Sequence, residues 1–349
     1  MIYIVLWLFC FAMLACAVRF PDRARWYCAA AVCAMGLFAV FRGATGTDTA
    51  AYEQISALAR SGGIFATGAE PFFAVVLKAL QLTGLSDAGV VRMVSALEVG
   101  LLLTYIGRSV PNERYLLLAA ILPAFFYEYT MNALRIGLAS ILFLLALQAV
   151  SRHRKPSHAA LGLALAASVT HYTAIFYPLF GVAALRRWSR RLVLGGVLIG
   201  ALVFAAVFLL QHAYLMAKLQ SYESLRAPSR FSGLSSVIQI ALVSAAIWKS
   251  TLSRPRKGQL LTLALLLTAA FMGLVQFSYA GLRLLDLVVF VLPPTMVAAH
   301  ELENKPMNLQ ARLGLLAFGL VSTVFVFRRF LVESPDSLAP FLPYHLIFS

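Results

Sequence analysis

Residues 41–52 read FRGATGTDTAAY and interrupt a sequence that is otherwise dominated by long apolar runs. A second interruption, NALR, occupies residues 132–135. Each follows an apolar run and keeps an arginine, Arg42 or Arg135, where that run ends. We interpret the rest of the chain as a helical frame that brings these polar breaks together beneath one surface of a membrane.

The composition is that of a membrane protein. Of the 349 residues, 61% are hydrophobic and 12% are charged. Apolar runs of about 20 residues, the length that crosses a bilayer, recur along the chain. This pattern excludes a soluble globular domain and a disordered chain, and the runs are too continuous for the alternating strands of a β-barrel. We therefore predict an all-α, polytopic integral membrane protein in which residues 1–349 form one transmembrane helical domain.

The net charge of +15 does not indicate nucleic acid as a partner. The basic residues fall in short clusters between apolar runs, which is typical of cytoplasmic loops and of contact with anionic membrane lipid. These clusters predict about twelve spans, with both ends of the chain outside. The predicted spans are residues 2–18, 26–41, 88–107, 115–130, 136–150, two within 158–185, 192–210, 235–248, 259–276, 284–299 and 311–327.

Three segments need a special interpretation. Residues 71–83 are short for a span, so we predict an interfacial or re-entrant helix on the outer side of the membrane there. The run 158–185 has basic clusters at both ends, so we predict two short helices that meet outside at residues 170–173. Pro293 and Pro294 predict a kink or break in the span 284–299. Outer loops at about 42–87 and 211–233 are expected to contribute to a site.

Arginines at the outer ends of spans are the first candidates for chemistry. Arg42, Arg135 and Arg283 occupy such positions, where an unpaired charge is costly. The planar guanidinium group suits phosphate oxygens and keeps its charge, so the three predict a site for a polyanion, such as a lipid diphosphate. The alternative is that each arginine reaches the headgroups or pairs with a carboxylate, as Arg42 would with Asp48.

Three further residues are candidates for catalysis. Asp48 is either a helix cap or a general base, and Glu70 has the same two interpretations. His171 lies in an apolar run, where it is either a base near neutral pH or a side chain hydrogen-bonded at a helix break. The six histidines have no metal-ligand spacing, and no nucleotide-binding or nucleophile motif occurs, so we predict no metal and no cofactor.

Aromatic and polar residues near the outer surface are weaker candidates for binding a glycan. Aromatic faces with hydrogen-bonding rims suit sugar rings, but they are equally typical of membrane interfaces. The residues concerned are Tyr52, Asn132, Tyr172, Tyr222 and Arg230.

Taken in order, these elements resemble the EpsG-like members of the Wzy polysaccharide polymerases. The resemblance covers most of the chain, and it rests on an ordered set of short motifs. They are Arg42 with residues 46–49 and Tyr52, residues 70–72, Asn132 and Arg135 with residues 136–139, His171, Arg283, and Pro343 with Tyr344.

The resemblance implies a bacterial inner-membrane glycosyltransferase for O-antigen, capsule or exopolysaccharide, with a GT-C-like fold and its active site facing the periplasm. A growing glycan on undecaprenyl diphosphate would be transferred onto a lipid-linked repeat unit. The arginines would stabilise the departing diphosphate, and Asp48, then His171, then Glu70 would be the candidate bases. A chain-length regulator and a flippase are possible partners.

Two other functions remain open from the residues alone. A lipid-linked oligosaccharide flippase or transporter would use a similar charged pocket, although it would more often show inverted halves. An O-antigen ligase would share the arginines and differ in its acceptor.

Overall fold

The computed structural model describes residues 1–62, 67–153, 157–185, 231–333 and 337–348. These residues are almost entirely helical and contain no β-strand, which agrees with the predicted all-α class. Their first eight helices are α1 Ile2–Arg19, α2 Ala24–Val40, α3 Thr49–Gly62, α4 Pro71–Gln81, α5 Asp87–Gly107, α6 Pro111–Leu116, α7 Leu122–Tyr127 and α8 Leu134–His153. The next six are α9 His158–Thr170, α10 Phe176–Leu185, α11 Leu234–Lys249, α12 Arg254–Val275, α13 Ala280–Glu303 and α14 Leu309–Glu333.

Six of the described helices are long and apolar enough to cross a membrane. They are α1, α5, α8, α12, α13 and α14, and four further apolar helices are shorter. The protein is therefore a helical membrane protein, while the count of about twelve spans stays a prediction. The predicted span 192–210 lies outside the described residues, as do Tyr222 and Arg230.

A helical stretch over residues 111–132 lies in the centre of the bundle. It joins α6 and α7 through a π-helical turn over Leu117–Ile121, and a second π turn over Glu128–Asn132 follows α7. Pro123 has no backbone N–H to donate to the preceding turn, which accounts for the first π turn. Helices α1, α8 and α14 pack around this stretch, and most of its residues are buried.

The polar breaks form as the local sequence predicts. Helix α4 has Glu70 at its N-cap and Pro71 in its first turn, where the missing N–H of proline costs nothing. Its 11 residues span about 16 Å at a helical rise of 1.5 Å per residue, too short to cross a bilayer. Helix α9 ends at Thr170 and α10 begins at Phe176, which confirms the predicted pair of short helices.

Of the kink or break predicted at Pro293 and Pro294, the break is wrong. Helix α13 runs through both prolines to Glu303. Residues 285 and 287–300 are buried, so neighbouring helices hold the stretch helical even though the prolines lack N–H donors. This region belongs to the core of the described residues.

Residues 337–348 return to the turn that follows α2. The backbone N–H of Gly43 donates to His345 at 2.8 Å, and the N–H of Ile347 donates to Phe41 at 3.1 Å. The Tyr344 hydroxyl donates to the Phe38 carbonyl at 2.6 Å. These contacts hold the turn 41–48 against a segment that is distant in the sequence.

Candidate functional site

A cavity of about 270 Å3 lies where the polar breaks converge. Its walls come from α3, the residues around α7, the start of α8, the α9–α10 break, and α11, α13 and α14. Three arginines, three carboxylates and one histidine line it, a balance of charge that offers donors for an anion beside acceptors for hydroxyl groups. These residues are Arg135, Arg283, Arg329, Asp48, Glu128, Asp286 and His171.

Glu70 joins two of the predicted site residues. Its Oε2 accepts a hydrogen bond from Arg135 at 2.7 Å, and its Oε1 lies 2.7 Å from His171 Nδ1. The Glu70 side chain is only 2% exposed. Since both of its oxygens are occupied, Glu70 fixes a guanidinium group and an imidazole ring on the cavity wall. This arrangement suits positioning better than proton abstraction.

The electrostatics of Glu70 agree with that role. Burial alone would raise the pKa of Glu70, but the hydrogen bond and charge of His171, together with Arg135, lower it to about 2. A carboxylate with so low a pKa holds a proton poorly, so it is a weak general base. Its negative charge instead stabilises the positive charge of Arg135 inside the protein.

This pairing predicts a stability change in acid. Glu70 has an ordinary pKa of 4.5, so its ionised form stabilises the fold above that pH, and the contribution is lost as the pH falls towards 2. The thermal unfolding midpoint of purified protein should therefore drop between about pH 5 and about pH 3. Glu70→Gln should have a lower midpoint and a flatter dependence on pH. Parallel pH profiles for the two proteins would contradict the assignment.

Asn132 connects the outer turn to the central helical stretch. Its Oδ1 accepts from the Thr47 hydroxyl at 2.7 Å and from the Asp48 backbone N–H at 2.8 Å. Its Nδ2 donates to Glu128 at 3.0 Å. The turn that brings Asp48 to Asn132 also requires glycine at position 46. Gly46 has a φ of 104°, and a Cβ there would collide with the carbonyl of residue 131. Asn132 therefore acts as a positioning residue for Asp48.

Asp48 is exposed towards the cavity, at the start of α3. Desolvation by the surrounding protein and the negative charge of Glu128 raise the pKa of Asp48, while Arg283 and Arg135 act in the opposite direction. A carboxylate with a raised pKa holds an abstracted proton better than an ordinary aspartate does. This environment suits a general base.

The other predicted residues are placed as follows. Tyr52 is buried at the cavity and lies under the Arg135 guanidinium group at 5.9 Å. Arg283 lines the cavity and lies over Tyr279. Tyr172 is partly buried beside His171 and is not among the lining residues.

Arg42 lies elsewhere. It is 1% exposed and does not line the cavity. Its Nη1 donates to the Ala39 carbonyl at 2.7 Å, the Ser95 hydroxyl at 2.8 Å and the Thr130 carbonyl at 3.1 Å. The sequence predicted that Arg42 would bind a diphosphate or pair with Asp48, and these contacts agree with neither role. Arg42 joins α2, α5 and the central stretch.

Several lining residues were not singled out in the sequence: Glu128, Asp286, Arg329 and Gln239. Helical spacing could have found two of them, because Glu128 precedes Asn132 by four residues and Asp286 follows Arg283 by three. Arg329 had no such signal. Within the described residues, no cluster of three or more His, Cys, Asp or Glu side chains could hold a metal ion.

Comparison with known proteins identifies a family. No curated protein and no solved structure matches the chain, so the GT-C-like architecture stays a prediction. The model of the EpsG family matches residues 25–346, a range that includes every described element of the cavity. The chain belongs to the EpsG family.

Proposed function

We propose that the protein is a polysaccharide polymerase that transfers a growing glycan from undecaprenyl diphosphate onto a lipid-linked repeat unit. Family membership suggests a polymerase-like role in polysaccharide biosynthesis. The observation that carries the proposal is the cavity, which combines three guanidinium groups with carboxylates that can accept hydrogen bonds from hydroxyls. A transfer from a lipid diphosphate to a sugar hydroxyl needs both.

The chemistry is one substitution at the anomeric carbon of the donor sugar. The acceptor oxygen forms a bond to that carbon, the bond to the diphosphate oxygen breaks, and its electron pair leaves with the diphosphate. Arg135 and Arg283 stabilise the developing negative charge without reorganising. The acceptor proton passes to a base, for which Asp48 is the first candidate.

His171 is the second candidate base. Its Nδ1 is held 2.7 Å from Glu70, an arrangement in which a carboxylate orients an imidazole ring. This contact makes His171 a better-positioned base than Glu70 itself.

The distribution of charge supports a periplasmic site. The cavity and the turn 41–48 lie at one end of the bundle, whereas residues 249–257 contact residues 303–308 at the other end. That second end carries Lys and Arg residues, as cytoplasmic loops do. The enzyme would then work in the bacterial inner membrane on substrates presented at its outer leaflet.

The test uses the purified full chain in nanodiscs with undecaprenyl-diphosphate-linked repeat units and no nucleotide sugar. A ladder of glycans on a gel is the expected result. Transfer to added lipid A without a ladder would instead identify a ligase. Passage of the lipid-linked unit across proteoliposomes without glycosyl transfer would identify a flippase.

Asp48→Asn should lower the rate of ladder formation at least about 100-fold, because general bases contribute a factor of this order. Wild-type activity should fall in acid as Asp48 becomes protonated, at a pH above the ordinary aspartate value because its pKa is raised. Glu53→Gln, on the same helix outside the cavity lining, is the control and should keep wild-type activity. Full activity of Asp48→Asn would assign the base to His171.

A further inference from the structure

Part of the cavity wall has a chemistry that the diphosphate does not explain. Glu128, Asp286 and Arg329 form it, and we refer to them as the carboxylate wall. Arg329 Nη1 lies 3.8 Å from Glu128 Oε1, and the Ser236 hydroxyl donates to Asp286 Oδ1 at 3.1 Å. Two carboxylates facing one cavity repel an anionic group, so this wall is unsuited to phosphate.

Glu128 is oriented with one oxygen still available. Its Oε1 accepts from Asn132 at 3.0 Å, which fixes the carboxylate. Its Oε2 is buried and has no hydrogen-bond partner among the described residues. A buried acceptor without a partner costs free energy, and a ligand hydroxyl would remove that cost.

Aromatic rings lie beside the carboxylate wall. Phe125 and Tyr129 both line the cavity, and their rings stack with centroids 5.3 Å apart and planes inclined by 29°. Aromatic faces next to carboxylate acceptors and a guanidinium donor match the apolar faces and polar edges of a sugar ring. These features favour a hydroxyl-rich sugar as the ligand class.

We propose that the carboxylate wall binds the acceptor sugar of the repeat unit, with Glu128 Oε2 accepting a hydrogen bond from one of its hydroxyls. The inference rests on the proposed polymerase function and adds that donor and acceptor bind to different parts of the cavity. Arg135 and Arg283 serve the donor diphosphate, while Glu128 and Asp286 set the position of the acceptor.

The test is Glu128→Gln in the full chain in nanodiscs, with repeat units as acceptor and preformed lipid-linked glycan as donor. Gln keeps the shape of Glu and an oxygen for Asn132, but it removes the charge that strengthens the bond from a hydroxyl. We expect the KM for acceptor to rise about tenfold or more. The KM for donor should change less than about twofold, because the proposal places the diphosphate against Arg135 and Arg283 and not against Glu128.

Binding of undecaprenyl diphosphate distinguishes a local effect from a general loss of structure, because a misfolded variant would lose this binding. Its Kd should be unchanged or lower in Glu128→Gln, since a negative charge is removed. Asp286→Asn should behave like Glu128→Gln, and Glu53→Gln should match the wild type in both assays. An unchanged acceptor KM, or equal increases in the KM for donor and acceptor, would overturn the proposal.

Failure of the proposed polymerase function can be distinguished from failure of the proposed sugar site. If the wild-type protein forms no glycan, the polymerase proposal falls. The proposed role of the carboxylate wall is then tested by measuring binding of the free repeat-unit oligosaccharide. This oligosaccharide is released from the lipid-linked intermediate by mild acid. Binding to the wild type that weakens about tenfold in Glu128→Gln supports the sugar site, and equal binding rejects it.

Discussion

Replacing Arg135 by alanine should reduce glycan polymerisation by roughly two to three orders of magnitude, the loss seen when one preorganised donor to a developing anion is removed. Arg135 lines the cavity, and Glu70 fixes its guanidinium group at 2.7 Å. The substitution removes the stabilising charge and also leaves Glu70 with His171 alone. The measurement is the initial rate of ladder formation from lipid-linked repeat units.

The controls separate charge stabilisation from folding. Arg60 is an exposed arginine whose guanidinium group lies 3.0 Å from Asp87, and neither residue lines the cavity. Arg60→Ala should therefore keep wild-type activity. Arg135→Lys keeps a positive charge but lacks the planar fork, so an intermediate rate is expected. Thermal unfolding identifies variants that simply fail to fold. A folded Arg135→Ala protein with wild-type activity would remove Arg135 from the mechanism.

Replacing Arg42 by alanine should destabilise the protein by about 3–5 kcal/mol, the usual cost of removing one partner from a buried charged network. Burial lowers the pKa of Arg42 to about 10, with the charge of Glu98 acting in the opposite direction, so the side chain remains protonated at neutral pH. Its loss would leave the acceptors of Ser95 and Thr130 with one donor fewer. Thermal unfolding and the yield of monodisperse protein measure the effect.

Ser95→Ala provides a graded comparison for Arg42. It removes a hydroxyl that accepts from Arg42 at 2.8 Å and donates to the Thr130 carbonyl at 2.6 Å, and it should cost about 1–3 kcal/mol. Both substitutions should leave the Kd for undecaprenyl diphosphate unchanged in whatever protein folds. A stable Arg42→Ala protein that has lost this binding would restore Arg42 to the diphosphate site.

The local features of the site could be predicted from sequence because they depend on neighbouring residues. The helix start at Pro71 follows from proline geometry, and the break at His171 follows from basic clusters at both ends of one apolar run. The pairing of Glu70 with Arg135 and His171 joins residues that are 65 and 101 positions apart. Such pairing depends on how helices pack.

Arg42 and Arg329 show that the sequence does not predict where an arginine side chain near a helix end points. Both follow apolar stretches near a helix end, so composition and spacing treat them alike. Helix packing turns Arg42 into the protein, towards backbone carbonyls, and places Arg329 at the cavity. The direction of a long side chain at a helix end is set by its neighbours in space.

The return of residues 337–348 to the turn 41–48 has a consequence for biogenesis. Thr45 and His345, which hydrogen-bond to each other, are 300 residues apart. Because translation proceeds from the N-terminus, the turn that carries Asp48 leaves the ribosome long before its partner segment exists. The early helices are therefore inserted before this turn has its partner, and the turn gains its contacts with residues 337–348 only after the helix Leu309–Glu333 has been made.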